Sequence, residues 1–133
     1  MTRKAARPVP AKAFDRVKAV GLTLPNVEAT IRYDGSPMLK VGGCFMAALA
    51  SHPPAEPDTL VVRCGFEERA YLLEDAPETY YLPDYYKNYP IVLVRLSQVN
   101  EDALRDLLSV SRRLTLAKTQ RATPRPAPGL TRI

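Results

Sequence analysis

The chain has 133 residues, 46% of them apolar and 25% charged, with a formal net charge of +5. That length supports one domain around a single core, and the balance is that of an ordinary globular protein. No apolar run reaches the ~20 residues of a membrane span, and no apolar segment follows the N-terminal charges as a secretory signal requires, so a cytoplasmic address is the default expectation.

The first ten residues, rich in Arg, Lys, Ala and Pro, predict a disordered basic arm. From Ala11 the apolar residues Ala13, Phe14, Val17, Val20 and Leu24 recur at helical spacing, and Gly21 and Pro25 close the segment. The period then changes. "VEATIRY" (27–33) alternates apolar and polar residues as a half-buried strand does. "DGSP" is a turn, "MLKV" a short strand, and Gly42–Gly43 a tight hairpin leading into "CFMAALA". The proline-rich "SHPPAEPD" is a loop before the strand "TLVVRC".

"FEERAYLLED" (66–75) predicts a short helix with Phe66, Ala70, Leu73 and either Tyr71 or Leu72 turned inward. "TYYLP" is extended, "DYYKNYP" a loop, and the β-branched "PIVLVRL" a central strand. Asn100 caps a final helix with Glu101 and Asp102 in its first turn. The three prolines of "TQRATPRPAPGLTRI" end it and predict a disordered tail over 119–133. The domain proper is therefore 11–118. Antiparallel strands with the N-terminal and C-terminal helices on one face make an α+β two-layer sandwich.

These residues also carry a resemblance. Leu24-Pro25-x-Val27-Glu28, the Pro37-x-x-Lys40-Val41-Gly42-Gly43 hairpin, Glu68-Arg69 before the inserted helix, Pro83-x-Tyr85, and the final strand and leucine-rich helix resemble the MmcQ/YjbR family over about residues 13–116. The resemblance implies a CyaY-like fold, and its members are usually described as DNA-binding. They usually carry histidine where this chain has Asp84, so any role of that histidine is missing here.

Net charge suggests nucleic acid until it is divided along the chain. Residues 1–18 carry +5 and residues 111–133 carry +6, while 19–110 carry −6. The candidate phosphate contacts are Lys87, Arg95, Arg112, Arg113, Lys118 and Arg121, aided by Arg3, Lys4 and Arg7. The competing reading gives the basic ends a solubilising role and Arg112 and Arg113 a helix-dipole role.

Five of the seven tyrosines lie between Tyr80 and Tyr89. Tyr85, Tyr86 and Tyr89 are candidates to stack on a ligand, against the plainer expectation that they cover the sheet with their hydroxyls in solvent. Packing is favoured there, because Asp84 repels phosphate and Lys87 is the loop's sole cation.

Cys44, Cys64 and His52 cannot supply the four ligands of a structural zinc, and the cysteines read as buried free thiols. A frataxin-like metal site fails on charge, since Lys12, Arg16 and Lys18 outnumber Asp15 on the first helix. Neither a phosphate-binding glycine loop nor a nucleophile elbow occurs, and no catalytic residue, metal or cofactor is expected. The expected function is a non-catalytic module that binds DNA weakly and without sequence preference. The alternative is a small molecule or protein partner held at the tyrosine-rich 80–89 edge.

Overall fold

The structure is a computed structural model that describes residues 11–51 and 54–122. Helix α1 (Ala11–Gly21) leads into strands β1 (Val27–Ile31), β2 (Pro37–Val41), β3 (Cys44–Leu49) and β4 (Thr59–Arg63). Helix α2 (Phe66–Asp75), strands β5 (Tyr80–Tyr81) and β6 (Ile91–Arg95) and helix α3 (Glu101–Ala122) follow. The six strands form one antiparallel sheet in the order β1-β2-β3-β4-β6-β5. The helices gather on one face, completing the two-layer α+β sandwich.

The core fills the space between the layers. Phe14, Val17 and Val20 of α1 and Leu104, Leu107 and Leu108 of α3 pack on Leu39, Val41, Leu49, Leu60, Val62, Val92 and Val94. Alternation along each strand sends the other residues to the opposite, open face. A bulge in the β2–β3 pairing lets Leu39 face Ala47 while Lys40 faces Phe45, with Met46 as the extra residue. Both Met46 and Ala47 therefore enter the core, and Phe45 is delivered to the open face. The β2–β3 turn is the expected Gly pair, with φ of 60° and 77° at Gly42 and Gly43, values a side chain resists. Gly21 matters for space: a Cβ there would stand 2.5 Å from Leu39 Cδ1.

Polar groups tie the layers together. The Arg16 guanidinium donates to the carbonyls of Leu96 and Val99, so it pins α1 to the segment between β6 and α3. Asn100 caps α3 by accepting from the Ala103 N–H at 2.8 Å. Ser111, fully buried, donates to the Met46 carbonyl at the bulge.

Four expectations need correction. Helix α3 continues to Ala122, four residues beyond the expected boundary at 118, because "TQRA" contains no breaker before Pro124. In α2, Phe66 (52% exposed), Ala70 and Tyr71 face solvent, and only Leu72 and Leu73 reach the core. A ten-residue helix at the margin of the sheet has little to bury. Strand β1 ends at Ile31 and buries only Val27 of the expected inward set; as an edge strand it leaves Ala29 and Ile31 exposed, and Tyr33 lies in the following turn. Cys44 is half-buried and only Cys64 is enclosed, and no disulfide joins them. The N-terminal arm, His52 and the tail beyond Ala122 lie outside the described residues.

Candidate functional site

The open face is where the tyrosines go. After Tyr81 the chain leaves β5, makes a 3-10 turn at Asp84–Tyr86, and crosses back to β6 through consecutive turns closed by Tyr86, Lys87 and Tyr89 N–H groups. Arg69, on α2, holds this loop: its guanidinium donates to the carbonyls of Tyr89 (2.7 Å), Lys87 (3.0 Å) and Ile91 (3.3 Å). The loop thereby walls a groove of about 520 Å³, with Tyr85, Tyr86 and Tyr89 on one side. Its floor is Met38, Phe45, Val61 and Ile91, one from each of β2, β3, β4 and β6.

Two arginines border that apolar floor. Arg63, at the end of β4, donates from Nε to the Phe45 carbonyl at 3.0 Å and lies 5.4 Å from the Phe45 ring centre. Its two terminal amino groups have no carboxylate partner among the described residues. Arg32 follows β1 and acts on Tyr86 across the groove: burial is the main cause raising the Tyr86 phenol above its ordinary value, and the Arg32 charge opposes it. The rim beside Arg32 is braced. Asp34 accepts from the Ser36 hydroxyl (2.6 Å) and N–H (3.0 Å) and from the Ser51 hydroxyl (2.9 Å), which holds its carboxyl far below the usual range.

The far end of the open face is committed to internal contacts. Arg95 makes a two-bonded pair with Glu56, 2.9 Å on each oxygen, and also donates to the carbonyls of Pro77 and Glu78. Its guanidinium lies 4.3 Å from the Tyr81 ring centre, and the Tyr81 hydroxyl is shared with Thr59 Oγ1 and the Glu56 N–H. Hydrogen bonding from Arg95 lowers the Glu56 pKa and the same pair raises that of Arg95.

The expected phosphate contacts do not assemble. Lys87 is exposed on the tyrosine loop and Arg95 is held by Glu56. Arg112 donates to the Pro25 carbonyl at 2.7 Å, while Arg113 and Lys118 are exposed on α3 in the helical layer. Arg121 belongs to the last turn of α3, and its side chain is outside the described residues. Tyr85, Tyr86 and Tyr89 do converge. What sequence reasoning missed is Arg32, Arg63 and the apolar floor. The signal was present in "TLVVR", where Val61 and Arg63 share the parity opposite to Leu60 and Val62.

Chemically, the groove offers flat apolar surface, phenol rings and guanidinium charge, groups that complement a flat ring and an anionic group. The serine hydroxyl lining the groove, Ser51, donates to Asp34. The Cys64 thiol lies in the core, where burial pushes its pKa up to about 11 and the Glu68 charge adds to the effect. A family model described as YjbR matches residues 22–114. The chain belongs to the YjbR family. The matched span runs from the end of α1 into α3, so it contains the whole sheet, the tyrosine loop and both groove arginines of this YjbR-family chain. No curated protein and no solved structure matches it.

Proposed function

We propose that this YjbR-family chain is a non-catalytic binding module for nucleotide-type anions, seated on the open face of its sheet. A base lies against the tyrosine wall and the apolar floor, and Arg63 and Arg32 receive the phosphate. The observation that carries the reading is Arg63: a guanidinium with no carboxylate partner among the described residues, on an apolar floor beside three tyrosines.

The setting of the strand cations supports it. Lys40, Arg63 and Arg95 all lie on the open face, where Glu28 is the cross-strand neighbour of Lys40 and Glu56 pairs with Arg95, whereas Arg63 is opposite Ile91 and has no ion pair among the described residues. Ring stacking with phosphate contacts tolerates any base, so binding is weak and without sequence preference. A single DNA strand can lay one unit in the groove, whereas a duplex keeps its rings stacked inside.

The test is a tyrosine-fluorescence titration of the full chain with a thymidine oligonucleotide at low salt, beside the mononucleotide and a duplex. Arg63→Gln is expected to weaken oligonucleotide binding about tenfold and to lower the salt slope by about one unit. Equal affinity for the mononucleotide assigns a free nucleotide as ligand. Wild-type affinity in Arg63→Gln, with loss in an Arg112→Gln/Arg113→Gln variant, overturns the groove in favour of the basic ends.

A further inference from the structure

The other layer carries a second cleft of opposite sign. It lies between α2 and the first half of α3, encloses about 410 Å³, and is bordered by Glu68, Asp75, Glu78 and Asp106. None of these carboxylates has an ion pair among the described residues, whereas the neighbouring Glu101 and Asp102 are satisfied by Arg105. Carboxylates on helices are commonly just solvated, and their number alone would signify nothing.

Tyr80 changes that. It lies at the base of this cleft, only 6% exposed, and its hydroxyl makes no hydrogen bond to any described residue. Tyr81, its neighbour on the opposite face, has two such partners for the same group. Buried hydroxyls are nearly always bonded, because leaving one unpaired is costly. Burial raises the Tyr80 pKa, and the next contributors are Asp75 from one wall and then, after Cys64, Asp106 from the other. The phenol oxygen thus sits in the field of both walls.

The geometry points to an alkylammonium ligand in this cleft, its ammonium groups on the carboxylates and the Tyr80 hydroxyl and its methylene chain on Leu72 and Leu107. Spacing separates this ligand from a metal ion. Glu68 and Asp75 are seven positions apart on α2, about 10 Å along the axis, far beyond the 2.0–2.6 Å reach of a hard divalent cation. Among the described residues no three acidic, His or Cys side chains converge as a metal site. A polyamine, or a lysine side chain of a basic polypeptide, spreads charge along an apolar stem in the way these walls require. The inference stands apart from the open-face ligand, which takes the opposite charge on the opposite layer.

The test is calorimetric titration of the full chain with spermidine, with a lysine-alanine peptide, and with magnesium at matched ionic strength. Saturable binding of spermidine is expected, with magnesium silent. Tyr80→Phe should keep the wild-type melting temperature, since the hydroxyl has no protein bond to lose, while weakening spermidine about tenfold. An Asp75→Asn/Asp106→Asn variant should weaken it further, and Arg63→Gln should leave it unchanged. Tighter binding of the peptide than of spermidine assigns the ammonium to a polypeptide; the reverse assigns a free polyamine. Equal response to magnesium, or wild-type affinity in both the Tyr80→Phe and the doubly substituted chain, overturns the proposal.

Discussion

The two faces of this sheet are built from the same strands and share one alternation, yet they do different work. The helical face takes Leu39, Val41, Leu60, Val62, Val92 and Val94 and buries all of them under α1 and α3. The open face takes Met38, Lys40, Phe45, Val61, Arg63 and Arg95, and only a nine-residue loop of tyrosines and prolines crosses it. Stability resides on the first face. The second keeps apolar surface and unpaired charge accessible, which is what a binding surface requires and what a core cannot tolerate.

The widest separation between the faces comes from truncating each. Leu104→Ala, at a fully buried position of α3, should cost about 2–5 kcal/mol through lost burial and the cavity left behind. Urea unfolding monitored by circular dichroism measures it. A loss below 1 kcal/mol would mean that α3 does not close the core as described.

An intermediate effect is expected where the open face is stitched to itself. Arg95→Ala removes the Glu56 pair, two carbonyl contacts and the ring of Tyr81, and should cost about 1–2 kcal/mol, moderated because the side chain is more than a quarter exposed. It also changes the response to acid. Glu56 and Asp34 are both held below their ordinary values of 4.5 and 3.8, so the stability they contribute is complete above that range and disappears as pH falls through their folded values. Melting temperatures followed from pH 6 down to pH 2 should drop, and the drop should be smaller in Arg95→Ala. An identical acid response in both proteins would remove the Glu56 pair from the account.

The smallest change in stability belongs to Tyr85, which is 67% exposed. Tyr85→Ala should alter unfolding by less than about 0.5 kcal/mol while reducing oligonucleotide affinity severalfold, since stacked rings contribute about 1–3 kcal/mol per base. The expectation that the tyrosines mainly pack is thus divided by residue. Tyr80 joins the core, Tyr81 closes the β4–β6 end, and Tyr85 remains available.

How far the sequence carried the reading follows from the range over which each feature is encoded. Elements written locally were legible: the Gly42–Gly43 hairpin, the Asn100 cap and the bounds of α2 each depend on a few adjacent residues. The α2 face was misjudged because helical spacing alone does not say how much sheet lies beneath a short helix. Ile31 and Tyr33 were misjudged because alternation does not reveal that a strand is at the edge. The groove was hidden for a related reason. Arg32, Phe45, Arg63 and Tyr86 come from four separate segments, and only strand order and the bulge at Met46 bring them together. Summing charge over residues 19–110 gave no hint either, since a net of −6 does not tell which cation is left beside an apolar surface.

Arg69 connects what the two layers otherwise keep apart. It belongs to α2, yet two of the carbonyls it serves, Lys87 and Tyr89, lie in the loop that walls the groove, and the third, Ile91, begins β6. When that helix opens, the loop loses its anchorage in the same event, so residues 66–75 and 84–91 form one cooperative unit rather than two. Their backbone amides should exchange with deuterium at a common rate, set by the weaker partner.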